Sequence, residues 1–131
     1  MNKLILKPIG TVHSPYKKET KGDYPERNMI EARIEIFPEF SDGLYKISEF
    51  SELWILFWFS GIEEKERATL KVHPRRNENN PMRGVFSSRS PARPNPIGLT
   101  KVTLLKVENN IIFVRGLDAY DRTPVIDIKE V

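Results

Sequence analysis

Met29-Ile30-Glu31-Ala32-Arg33-Ile34-Glu35-Ile36-Phe37 alternates apolar and charged residues without a break. Ile30, Ala32, Ile34 and Ile36 fall on one side, and Glu31, Arg33 and Glu35 on the other. A period of two is the mark of a strand with one face buried, and a helix would scatter these residues around its axis. Leu99 to Val107 alternates again, Asn109-Asn110 suits a hairpin turn into Ile111 to Val114, and Pro124 to Ile128 supplies a last strand. Leu53-Trp54-Ile55-Leu56-Phe57-Trp58-Phe59 is apolar on both faces, so a second layer or a second subunit must cover its outer row.

The remaining segments are read in the same way. Lys3 to Ile9 has strand character, Ser14-Pro15 breaks the stretch Thr11 to Tyr16, and residues 17–28 form a long polar loop. After the turn at Asp42-Gly43, Leu44, Ile47 and Phe50 recur at a spacing of three, which predicts a short helix. Arg67 to Val72 and Gly84 to Ser88 add short strands. Many short strands with little helix make the chain mainly β, an antiparallel barrel or sandwich with one or two short helices. Its open end is expected to gather the 17–28 loop, the arginine-bearing loop described next and the turn Asp118 to Thr123.

The chain has 131 residues, 39% of them hydrophobic, which suits a single domain spanning residues 1–131. There is no cysteine and there are two histidines, His13 and His73, so thiolate metal sites and disulfides are excluded and no metal is expected. The longest apolar run is far shorter than the roughly 20 residues that cross a bilayer, and no signal-peptide pattern opens the chain. No membrane association is expected, and the location expected is the cytoplasm.

The formal charge is +3, but Arg75, Arg76, Arg83, Arg89 and Arg93 crowd one segment whose only acid between His73 and Asn95 is Glu78. Such asymmetry suits an anionic partner, nucleic acid first, although a solvated basic surface has the same composition. Within it, Pro91, Pro94 and Pro96 fix φ and push their predecessors out of helical space. Arg93 and Asn95 therefore lie on a stiff extended path, which points to a site as readily as to a proline-rich surface connection. In Leu117 to Asp127, Asp118, Asp121 and Asp127 punctuate an apolar stretch, and Tyr120 offers a ring for stacking. Asp121 capping a turn is the structural alternative there. Gly84 and Gly98 do not form a dinucleotide fingerprint.

Taken in order, Ile9-Gly10, Ser14-Pro15-Tyr16, Leu53 to Phe57, Met82 to Gly98 and Leu117 to Lys129 resemble the TsaA-like family over nearly the whole chain. Arg89-Ser90-Pro91-Ala92-Arg93-Pro94-Asn95-Pro96-Ile97-Gly98 is the most specific part of that resemblance. The family consists of transfer RNA methyltransferases that use S-adenosyl-L-methionine to methylate the exocyclic nitrogen of threonylcarbamoyladenosine beside the anticodon. The resemblance implies a small antiparallel β-barrel, a homodimer, and a cofactor cleft near the subunit interface.

Carried over by position, the resemblance puts cofactor contacts at Pro25, Glu26 and Arg27, at Ser60 and Gly61, at Arg89, near Leu99, and across Leu117, Asp118, Ala119 and Tyr120. Asp118, Asp121 and Tyr120 are candidates to take the proton lost on methyl transfer, and Asn95 joins Asp121 and Tyr120 as a candidate catalytic residue. Arg75, Arg76 and Arg83 are candidate phosphate contacts on transfer RNA, with Arg93 beside the substrate. The chain departs from the family where Glu26-Arg27 replaces Arg-Gln, Ser60 a histidine, Arg122 a glycine, and Glu130-Val131 Pro-Tyr. Bacterial members also carry a small C-terminal domain, beyond the position matching Val131, that is implicated in holding RNA. Two other readings share these residues: a non-catalytic RNA-binding barrel, and an S-adenosylmethionine enzyme acting on a small acidic metabolite.

Overall fold

A computed structural model of the chain describes residues 3–17 and 26–131. The alternating segment is a strand, β2, Glu31–Ile36, in which every second residue is buried. It joins β1 (Gly10–His13), β3 (Glu52–Trp58), β6 (Ile97–Glu108), β7 (Ile111–Arg115) and β8 (Pro124–Glu130). These six close into a barrel in the order β1-β2-β7-β6-β3-β8. The remaining strands, β4 (Lys71–Val72) and β5 (Arg83–Gly84), form a separate antiparallel ribbon. The chain falls into two compact units, residues Phe59–Gly98 in one and the rest of the chain in the other. Among the described residues, no helix is long and apolar enough to cross a membrane.

The inward row of β2, Ala32, Ile34 and Ile36, is the one alternation predicts, and on β3 and β7, which are apolar on both faces, Leu53, Ile55, Phe57, Ile112 and Val114 are the buried residues. Trp54, Leu56 and Trp58 alternate with them and are half-buried on the outer face. β6 and β7 meet at Asn109-Asn110, where Asn109 has φ 52°, the left-handed conformation that two-residue hairpins use and asparagine tolerates. Asn110 then ties the hairpin to the end of β2, its carbonyl accepting from Ile36 N–H (2.8 Å) and its Nδ2 donating to the Ile36 carbonyl (2.7 Å).

Three expectations need correcting. Lys3 to Pro8 forms no strand, and Leu4 and Ile5 are exposed. The first strand is instead Gly10–His13, overlapping the stretch Thr11 to Tyr16 read as a break; its pairing with β2 stops at Ile36, where the chain turns into the 3-10 helix Pro38–Leu44 and offers 3–8 no continuing strand on that side. The helical spacing at 44–50 resolves into two 3-10 helices, Pro38–Leu44 and Ile47–Glu49, separated by Lys46 at φ 67°. The strands read over 67–72 and 84–88 shrink to two residues each, because Glu64–Ala68 and Val85–Ser87 turn as 3-10 helices. The alternation of β6 also slips at Leu105, where the register with β7 shifts and the leucine turns partly into solvent.

β1 is squeezed between two neighbours. Gly10 pairs with Ile36 on one side and Val125 on the other, and a methyl group there would collide with the backbone carbonyl of Glu35. A backbone atom of a neighbouring strand cannot step aside as a side-chain tip can. Gly10→Ala is therefore expected to destabilise the barrel by about 1–3 kcal/mol in chemical denaturation, whereas Gly43→Ala, with open space around it, leaves the midpoint nearly unchanged.

Candidate functional site

In the barrel unit the stretch after β7 alternates like a strand without being one. Leu117 and Ala119 are buried in the core, while Asp118 and Tyr120 turn the other way. Asp118 is oriented by Thr100 on β6, whose hydroxyl donates to Oδ1 at 2.7 Å. Tyr120, partly exposed, lies against Tyr16 with ring centroids 4.8 Å apart and planes at 45°. Leu99 is also partly exposed.

The turn that follows is sewn to the chain leaving β1. Val12 N–H donates to the Thr123 carbonyl (2.9 Å), Arg122 N–H to the Val12 carbonyl (2.7 Å) and Asp121 N–H to the Tyr16 carbonyl (2.7 Å). Asp121 Oδ1 accepts from Ser14 N–H at 2.9 Å, and the hydroxyl of Ser14, a buried residue, accepts from Tyr16 N–H at 3.0 Å. The capping role weighed for Asp121 is thus present, and one carboxylate oxygen is committed to it. Its side chain also lines a concavity of about 620 Å³ together with His13, Lys17, Arg33 and Phe113.

Glu26 and Arg27 approach this region through their backbone. Glu26 is exposed, its carbonyl accepts from Met29 N–H (2.8 Å), and Arg27–Met29 makes one 3-10 turn. Gly116 N–H donates to the Ile30 carbonyl (2.7 Å), which ties the end of that turn to the residue before Leu117. Pro25 lies outside the described residues.

The second unit carries the arginine segment. Phe59 N–H donates to the Pro96 carbonyl (2.8 Å), which ties the exposed Ser60-Gly61 turn, with Gly61 at φ 86°, to the chain beside the exposed Asn95. Arg67 Nε donates to the Pro94 carbonyl at 2.8 Å. Arg93, read as facing RNA, folds inward: Nη1 donates to the carbonyls of Ser88 (3.1 Å) and Ser90 (3.2 Å), and Nη2 to that of Val85 (3.0 Å). Its fork is spent on holding the loop in shape, and Arg89 stays exposed. Arg75, Arg76 and Arg83 are exposed as well.

Sequence reasoning passed over Thr100, which has no motif signal of its own, and gave no role to Ser14 and Tyr16, although both stand in the Ser14-Pro15-Tyr16 string. Among the described residues no group of three or more metal-ligating side chains is assembled.

Residues 11–131 match the family model described as the tRNA-methyltransferase O N-terminal domain. An S-adenosyl-L-methionine-binding protein of Archaeoglobus fulgidus is 45% identical over 130 residues, covering 97% of this chain and 88% of that protein. A mouse tRNA (adenine(37)-N6)-methyltransferase is 40% identical over 96% of this chain, which spans 30% of its length. Among solved structures, TrmO from Pseudomonas aeruginosa superposes with a TM-score of 0.75 at 26% identity, and this chain covers 56% of it.

Two substitutions probe the site's supports. Arg122 has φ 69°, where the TsaA-like pattern has glycine, and it sits third in the turn closed by Thr123 N–H to the Tyr120 carbonyl (3.2 Å). Arg122→Gly is expected to hold or raise the melting temperature, while the β-branched Arg122→Val loses about 1–2 kcal/mol; equal losses would implicate the arginine side chain instead of the backbone. Arg93→Lys, which keeps the charge but not the fork, is expected to cost about 1.5–3 kcal/mol of local stability, read as faster amide exchange over 85–90.

Proposed function

The chain belongs to the tRNA-methyltransferase O N-terminal-domain family, and on that footing we propose that it is an S-adenosylmethionine-dependent tRNA methyltransferase acting on the exocyclic nitrogen of threonylcarbamoyladenosine beside the anticodon. The observation that carries the reading is that one family model runs through both Arg89–Gly98 and Leu117–Pro124, the two stretches richest in site residues. Relatives of nearly full coverage that are named for binding S-adenosylmethionine support the cofactor, and the mouse relative's name supports the substrate.

The bound cofactor supplies a methyl group already activated by its sulfonium, so the protein's task is chiefly alignment. Asp118, held by Thr100, is a fixed acceptor for a cofactor hydroxyl or amine. The chain from Leu117 to Tyr120 and the residues Glu26 and Arg27 are assigned further polar contacts, and Arg89 matches the cofactor carboxylate. On transfer the acceptor nitrogen loses its proton. Tyr120 and the Asp121 oxygen not bonded to Ser14 are the groups assigned to accept it, with Asn95 orienting the base.

Arg75, Arg76 and Arg83 are assigned to phosphates. The partly covered outer row Trp54, Leu56 and Trp58 supports a homodimer, and the reading carries a cytoplasmic location and a single functional domain over both units.

The deciding experiment offers labelled S-adenosylmethionine with threonylcarbamoylated transfer RNA, unmodified transfer RNA and small acidic metabolites. Label is expected in the first alone. Cofactor binding without any transfer to RNA would overturn the substrate. In parallel, replacing Arg75, Arg76 and Arg83 with alanine is expected to flatten the salt dependence of RNA affinity by about 0.7–0.9 in log K per log salt for each phosphate left without its arginine, with cofactor affinity retained.

A further inference from the structure

Phe86 is displayed, not frayed. It is the middle residue of the 3-10 turn Val85–Ser87, which follows directly on β5, and every neighbour is pinned. Val85 is buried, its N–H donates to the Leu70 carbonyl (2.9 Å), and its carbonyl receives Arg93 Nη2 (3.0 Å), Ser88 N–H (3.2 Å) and the Ser88 hydroxyl (3.2 Å). The Ser87 hydroxyl donates to the Gly84 carbonyl (2.9 Å). On that fixed backbone Phe86 is 82% exposed, and Leu70 and Met82, each one residue before a strand of the same ribbon, are exposed with it.

The surroundings tell which partner suits a bare ring. Register places Lys71 opposite Gly84 and Arg83 beside it on β5, and β4 runs directly into the turn that carries Arg75 and Arg76. That turn is itself locked. Asn80 Nδ2 donates to the Pro74 carbonyl (2.7 Å) and its carbonyl meets His73 Nδ1 (2.9 Å), while Arg75 and Arg76 stand at φ 59° and 55°. Between His73 and Asn95 the only carboxylate is Glu78. An apolar surface meant for another protein is seldom so one-sided in charge, whereas single-stranded nucleic acid presents phosphates and flat base faces together.

We propose that Phe86 is a stacking platform for an unpaired base of RNA, with Arg75, Arg76 and Arg83 on the phosphates of the same strand. The proposal rests on the RNA-methyltransferase reading and deepens it, since a base whose exocyclic nitrogen reacts lies in a loop whose unstacked neighbours need support.

The test uses the full chain and an RNA hairpin whose unpaired loop carries the fluorescent base 2-aminopurine. Wild-type protein is expected to bind it and quench the fluorescence. Phe86→Ala is expected to weaken binding by about 5- to 150-fold and abolish quenching. Phe86→Trp keeps both, and Phe86→Leu, apolar but without a π-face, behaves as alanine does. S-adenosylmethionine affinity by calorimetry stays the same in all four proteins.

Leucine serving as well as phenylalanine, or alanine binding like wild type, overturns the stacking. So does a cofactor affinity that falls with Phe86→Ala, which would put the ring on the cofactor, or a change in sedimentation mass, which would put it against a second copy. A wild type that quenches through Phe86 yet transfers no methyl leaves the stacking standing and removes the enzymatic reading. Transfer unaffected by Phe86→Ala, in rate and in KM for RNA, removes the stacking alone. A wild type that binds no hairpin removes both.

Discussion

The barrel depends on a strand of four residues, β1, finding room between β2 and β8. Closure removes the unpaired edges that an open sheet of this size would expose, but it requires β1 to bond on both sides at once. At Gly10 the approach of β2 is too close for any side chain. The same pairing continues beyond the strands: Val12, Ser14 and Tyr16 exchange hydrogen bonds with Asp121, Arg122 and Thr123. The position of Asp118 and Tyr120 is therefore a consequence of barrel closure, since the turn that fixes their downstream end is bonded to the chain emerging from β1.

The parts of this arrangement that were legible in sequence are those where a period repeats. Four apolar residues at spacing two, Ile30 and the three of β2, leave one side available for a core, and that row is buried as read, whereas β3, apolar on both sides, did not say which row turns inward. Lys3 to Pro8 failed for the complementary reason: strand propensity is half of a strand and a partner strand is the other half, and β2 turns away after Ile36 into the 3-10 helix Pro38–Leu44, while Ile9 still bonds Phe37 and Val125. The slip at Leu105 is similar, because an alternating pattern does not say where a bulge will let one residue out. Asn109 shows the opposite case, in which a local side-chain preference named the turn and the backbone angle agrees.

The candidate site residues divide in the structure between exposed side chains and scaffold, a division that the sequence does not mark. Three prolines are the reason the sequence reads as stiff there, and the structure adds Arg93, whose three bonds to Val85, Ser88 and Ser90 carbonyls have no pattern in sequence. An arginine counted toward a basic surface turned out to be part of the scaffold, which leaves Arg75, Arg76, Arg83 and Arg89 as the exposed cations of the cluster. Asp121 is likewise divided between holding Ser14 and facing a concavity. Among the described residues, Arg122 has no side-chain contact that explains its identity. Its φ explains instead why glycine suits the position and why an unbranched side chain is tolerated there.

Arg75 and Arg76 complete the argument about preorganisation. Two successive L-residues in left-handed space cost on the order of 1–2 kcal/mol each, and the chain keeps them there by bonding His73 and Asn80 around the turn. Long cationic side chains on a mobile loop lose both backbone and rotamer freedom when they meet a phosphate. On a locked turn the backbone share is lost during folding, so binding has only the rotamers left to order. The same reasoning applies to the stacking proposed for Phe86, whose backbone is held by the hydrogen bonds of Val85, Ser87 and Ser88. If the proposed RNA contact holds, the exposed and hydrogen-bonded ribbon gives up less entropy on binding than a flexible surface would.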